Sequence, residues 1–235
     1  MNANLVFSIA VQLLLLLLTV SFHGAAQAWA AAMCGDPTAS QLGRASLNPL
    51  RHFDILGTLL FPALLMAFGF ALSATGFPIF GWGRPVPVVE TNLRRPGWDA
   101  ILVAGAGPAA HLLLTGASCL ALVAGVHLLG PEARQAASLS LLYQPGAETL
   151  GSYPVMFTLV RLASLNAFMA AFHLIPLPPL AGGQIALHLL PPDWAARLAA
   201  IRPYGFMIGV LAAMALVPFL LVPFLLILGM VINIA

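Results

Sequence analysis

His23 and Gln27 stand four positions apart in the stretch Phe22-His23-Gly24-Ala25-Ala26-Gln27-Ala28-Trp29-Ala30. On a helix that spacing puts both side chains on one face. In the pattern His-Glu-x-x-His the two imidazoles hold zinc, and the Glu deprotonates a water. Only the first His is present here. Gly24 fills the Glu position and Gln27 that of the second His. Two more histidines, His111 and His173, lie inside apolar segments. An ionisable group at membrane depth is expensive, so three imidazoles there point to function.

The elements that carry these residues are membrane segments. Of 235 residues, 61% are hydrophobic and 7% are charged, against about 25% charged in a soluble domain. The expectation is an integral, multi-pass membrane protein, with residues 1–235 forming a single membrane domain in the lipid bilayer. A net charge of +2, carried by nine scattered Arg, excludes a nucleic-acid partner. Cys34 and Cys119 make neither a disulfide framework nor a metal pair. No Lys or Arg precedes the first apolar run, which is therefore read as a membrane helix rather than a cleaved leader.

Taken in order, the first segment spans about Leu5 to Met33. A turn-rich connection follows, Cys34 to Leu56, in which His52 and Asp54 read either as a metal pair or as a locally hydrogen-bonded loop. The second segment runs from about Gly57 to Phe77. Gly81-Trp82-Gly83-Arg84-Pro85-Val86-Pro87-Val88 cannot be helical, because alternating Pro forces extended backbone. An extended or hairpin segment is expected there, able to add a strand to a bound peptide although Pro85 and Pro87 lack donors. The third segment is Ile101 to Leu129. Gly130 to Pro154 reads as a loop. The fourth segment, Val155 to Ile175, carries Asn166 and His173 and ends in Pro176-Leu177-Pro178-Pro179-Leu180-Ala181-Gly182-Gly183. Irregular backbone at that depth must be covered by protein or line a cavity. A short helix follows, Gln184 to Leu190, then a polar stretch, and a last segment, Phe206 to Ile234. The fold class is thus all-α and polytopic, with five to six membrane helices.

Several ordered blocks resemble the site-2 protease family of intramembrane zinc metalloproteases. They are Gly35-Asp36-Pro37-Thr38-Ala39, Leu47-Asn48-Pro49-Leu50-Arg51-His52-Phe53-Asp54 with Gly57-Thr58, Gly81-Trp82 with Arg84-Pro85-Val86-Pro87-Val88, Ala106-Gly107-Pro108, and Leu174-Ile175-Pro176-Leu177-Pro178-Pro179-Leu180 with Gly182-Gly183. The resemblance implies that fold, in a bacterial or archaeal cell membrane. It also implies a substrate groove at Arg84, Pro85, Val86, Pro87, Asn166, Pro176 and Pro178.

The departures fall on the chemistry. The resemblance implies zinc ligands at positions 23, 27 and 181 and a base at 24, where this chain has His23, Gln27, Ala181 and Gly24. His111 and His173 stand where the family has Asn, and Asn166 is kept. The first expectation is a pseudoprotease without a cofactor, which binds a transmembrane helix or its extended end, or another membrane-protein partner, without cutting it. The second is a metallopeptidase or other hydrolase whose zinc sits on a new set: His23, His111 and His173. Broken helices also suit a transporter, but the halves show no inverted repeat.

Overall fold

A computed structural model describes residues 3–68, 79–141 and 154–234. Among them every regular element is helical. In chain order the α-helices are α1 (Ala3–Cys34), α2 (Thr38–Gln41), α3 (Phe61–Phe68), α4 (Pro96–Leu129), α5 (Pro131–Leu141), α6 (Pro154–His173), α7 (Ala181–Leu189), α8 (Pro192–Ala200) and α9 (Arg202–Ile234). Three are long and apolar enough to cross a bilayer: the Ile9–Cys34 part of α1, α4 and α6. α8 and the start of α9 make a fourth if their 76° bend is one broken span. The chain is a membrane protein on this count. The span expected over Gly57–Phe77 begins as a π-helical turn, Ile55–Leu60, that runs into α3. Its remainder, residues 69–77, lies outside the described residues.

α4 is the central post, with α1, α6 and α7 all packed on it. Its 34 residues would extend about 51 Å, well beyond a ~30 Å hydrocarbon core. It starts at Pro96, where a missing N–H costs nothing. The Asp99 carboxylate reaches back to the Arg95 N–H at 2.9 Å and to the Arg95 guanidinium at 3.0 Å. Small residues let α1 come close: Ala25, Ala28 and Ala31 of α1 and Ala100, Val103 and Ala104 of α4 are all buried.

Part of the expected Gly130–Pro154 loop is helix α5. Ala133, Ala136, Ala137 and Ser140 are buried, a spacing of three and four that turns one face inward. Pro131 sits at the helix start, where it is tolerated, and Gly130 takes the positive φ of 82° that ends α4. Residues 142–153 of that expected loop lie outside the described residues.

The extended segment is present, but without a β-ladder among the described residues. Its N–H groups at Trp82 and Arg84 bond to the carbonyls of Gly57 (3.2 Å) and His52 (2.8 Å). The buried Arg44 guanidinium donates to the carbonyls of Arg84 and Pro85. Pro85 and Pro87 cannot donate, so no regular strand partner forms. Aromatic packing pins the start of the segment: Phe80 lies 4.9 Å from Phe168 and Trp82 lies 4.6 Å from Phe206, centroid to centroid.

Asp36 pins its end. The carboxylate accepts from the Thr38 N–H (3.1 Å), the Thr38 hydroxyl, the Asn92 amide (3.0 Å) and the Val89 N–H (2.8 Å). Gly35 makes the approach possible: its φ is +112°, and a Cβ there would meet the Asn92 carbonyl oxygen at 3.0 Å. Burial alone would raise the Asp36 pKa, but the hydrogen bonds from Asn92, Thr38 and Val89 outweigh it and hold it at about 2. A depressed carboxylate pKa stabilises the fold above its unfolded value and ceases to do so as pH falls through about 2. Asp36→Asn should therefore lower the thermal midpoint in detergent at pH 7, by the equivalent of about 1–3 kcal/mol. The gap to the unmodified protein should narrow steadily below pH 4. A gap that stays constant down to pH 3 would contradict the assignment.

Candidate metal centre

Three helices bring three imidazoles to one point. α1 supplies His23, α4 supplies His111 and the last residue of α6 is His173. One ring nitrogen from each lies within 4.8 Å of the other two. Ring centroids are 4.4 Å apart for His23–His173, 4.9 Å for His23–His111 and 5.3 Å for His111–His173. His111 is fully buried, while His23 and His173 face a cleft.

Hydrogen bonds fix how these rings point. The Asn166 amide nitrogen donates to the Leu162 carbonyl (2.9 Å) and to the Thr19 hydroxyl (3.1 Å). A carbonyl can only accept, so the Asn166 Oδ1 must be the atom facing His111 Nδ1 at 3.0 Å. His111 therefore carries its proton on Nδ1 and a lone pair on Nε2. His173 repeats the arrangement, donating from Nδ1 to the Met169 carbonyl at 2.8 Å. An imidazole whose far nitrogen donates to an oxygen is the usual form of a metal ligand. His111 Nε2 in turn faces His23 Nδ1 at 3.0 Å. Two lone pairs cannot face each other at that distance, so a proton or a cation must lie between them. Two nitrogens on a tetrahedral zinc at about 2.0–2.1 Å would be about 3.4 Å apart, so a small adjustment of the rings accommodates the ion.

Asn166→Leu should cost about 1–3 kcal/mol of stability, because the His111 and Thr19 partners are left unsatisfied, and lower affinity for added zinc about 10–100-fold, the usual cost of losing a group that orients a ligand. Competition against a fluorescent chelator reads this directly, and unchanged affinity would remove Asn166 from the site.

The cleft beside the three rings has a volume of about 610 Å³. Of the residues singled out in the sequence, His23, Gln27, Pro85, Val86, His173 and Ala181 line it. Arg84 and Gly24 instead line a smaller neighbouring cavity of about 80 Å³. Asn166 stands behind His111 rather than in the cleft. Pro176 is exposed, and Pro178 is buried beneath Pro179, which does line the wall. Pro87 lines neither cavity. Glu90, Gln184, His188, Arg202 and Phe206 also line the cleft and carried no motif that would have identified them, whereas Trp82, another wall residue, stood in the Gly81-Trp82 block.

His52 and Asp54 part company. Asp54 caps the π-helical turn, accepting from the Gly57 N–H at 2.7 Å. His52 is fully buried and donates from Nε2 to the Ser46 carbonyl at 2.7 Å. Its ring packs flat against Gly24, where a Cβ would meet the imidazole. The position that would carry the base of His-Glu-x-x-His is therefore filled by a neighbouring ring.

No family model matches this chain, and no solved structure matches it. The chain is 34% identical over 197 residues to the "Putative zinc metalloprotease YwhC" of Bacillus subtilis (strain 168), an alignment that covers 83% of this chain and 77% of that protein. On that identity and coverage, the chain belongs to the same family as the putative zinc metalloprotease YwhC.

Proposed function

We propose that this protein is an intramembrane metallohydrolase that acts on extended polypeptide, with zinc held by His23, His111 and His173. The observation that carries the reading is the set of three inward-facing imidazole nitrogens, two of them oriented by Nδ1–H bonds to Asn166 and Met169. The donor set fits zinc, which takes neutral imidazole readily. When bound, the ion would supply Lewis-acid polarisation of a carbonyl and acidification of water. The fold would be that of the site-2 proteases, with five to six membrane spans in a bacterial or archaeal cell membrane.

The rest of the site serves the peptide. The backbone N–H and C=O groups of Val86 and Val88 have no hydrogen-bond partner among the described residues. Two residues apart on extended backbone, they face the same way and can pair with a substrate segment. Arg44 holds the neighbouring carbonyls, so the edge is fixed before anything binds. Gln27 and Gln184 both line the cleft and can offer amides to the substrate.

The test is metal content of the purified protein, beside His23→Ala, His111→Ala and His173→Ala. About one zinc per chain is expected, lost in each variant with the fold retained by thermal melting. Gly24 supports the other reading, a protein that holds a membrane helix without cutting it, because it has no proton acceptor to offer. A folded, metal-free protein would select that reading.

A further inference from the structure

We infer that the three-His centre takes the free carboxylate at the end of an extended peptide, bound where Ala181 leaves the cleft wall without an acid. This rests on the metal-centre reading above and names what the centre binds.

The argument is one of charge. Three neutral imidazoles leave the whole +2 of a divalent ion uncompensated, where a carboxylate ligand would have cancelled half of it. Most of the cleft wall is apolar, with Val86, Val88, Val103, Phe172, Leu180 and Phe206, and the polar side chains Gln27, Gln184, His188 and Arg202 that also line it bring no negative charge; an unpaired charge among such walls is costly. Glu90 is the one acidic residue among the described residues lining the cleft. Its side chain is 58% exposed and lies 3.8 Å from the His188 imidazole. It sits at the rim and serves that pair.

The wall beside the imidazoles is positive as well. Ala181 opens helix α7, whose first turn has no acidic residue and no side-chain cap. A helix start of this kind favours an anion. Here it flanks the same cleft as His23 and His173. Cation, helix start and missing acid all face one space, so an anionic ligand is favoured there. The cleft's volume, about 610 Å³, falls in the range of pockets that enclose small ligands. The unpaired backbone of Val86 and Val88 favours a peptide over other carriers of a carboxylate.

The experiment uses the full chain in detergent, loaded with cobalt(II), whose visible absorption reports its ligands. Failure to bind cobalt at all would sink the metal centre itself and the inference with it. With cobalt bound, the tripeptide Ala-Val-Ala should shift the spectrum at a concentration at least about tenfold below that needed by its C-terminal amide, about 1.4 kcal/mol. Octanoate should be weaker than the free peptide. Ala181→Asp should abolish the peptide response and bind cobalt more tightly, while Ala181→Asn, of the same size, should retain the response. Equal responses to acid and amide, or an undiminished response in Ala181→Asp, would overturn the inference while leaving the metal centre intact. Tighter binding of octanoate would overturn the assignment to a peptide end.

Discussion

Gly107→Ala is expected to empty the metal centre. A Cβ at this position would fall on the His23 ring, against Cε1, Nε2 and Nδ1. The ring cannot yield toward His111, which already stands 3.0 Å from its Nδ1. Either the ring turns out into the cleft, away from His111, or α1 and α4 separate, at a cost of about 1–3 kcal/mol for overpacking. Metal–ligand distances tolerate only about 0.2 Å, so zinc affinity should fall by about 100-fold or more. Metal analysis and thermal melting in detergent read both effects. Gly105→Ala is the control on the same helix: nothing lies within 4 Å of its Cβ position. There the better helix propensity of Ala should be neutral or stabilising, by up to about 1 kcal/mol. Full zinc occupancy in Gly107→Ala would mean that His23 does not lie where the packing puts it.

Gly24→Glu, which rebuilds the first half of His-Glu-x-x-His, is expected to damage the protein rather than repair it. The new Cβ would meet the His52 ring, with Cε1 at 2.8 Å and Cγ at 3.4 Å. His52 has no freedom to swing, being fully buried and tied to Ser46. A side chain forced off its position by His52 cannot be set as a base beside the three-His centre, and Gln27 and Ala181 do not complete the ligand set of His-Glu-x-x-His. The expected results are a loss of about 1–3 kcal/mol in stability and no gain in cleavage of a membrane-peptide substrate. Removing the obstruction should rescue the fold. The double variant Gly24→Glu with His52→Ala should be at least about 1 kcal/mol more stable than the sum of the single changes predicts. Strict additivity would separate the two residues, and cleavage by Gly24→Glu alone would show that the family's own chemistry survives here.

The two experiments bear on one question, which is how a helix with His23 but neither a Glu at 24 nor a His at 27 still sits at a site. His111 and His173 come from helices that the chain reaches 88 and 150 residues after His23, as the numbering in the sequence shows. Such a set can assemble only if α1, α4 and α6 keep their packing. Gly107 and the buried alanines of α1 secure the first contact. Asn166 ties α6 to both neighbours, through His111 on α4 and Thr19 on α1.

Much of this was legible in the sequence. The apolar runs marked α1, α4 and α6 because each must satisfy its own backbone hydrogen bonds in lipid. Alternating Pro at 85 and 87 marked extended backbone because φ is locked and donors are missing. Three histidines at membrane depth stood out because burying an ionisable group is costly. α5 was not legible as helix, since its buried face consists of alanines and a serine, which give little hydrophobic contrast.

Only the tertiary structure decided the rest. Local sequence does not tell whether three rings on three helices converge, because that depends on crossing geometry set by side-chain packing. Nor does it reveal that Asn166 and Met169 select the tautomers, that His52 fills the space beside Gly24, or that Glu90 stands at the rim of the cleft. Each of these is a relation between residues far apart in the chain. The residue types are written in the sequence, but the distances that give them a chemistry arise only when the helices meet.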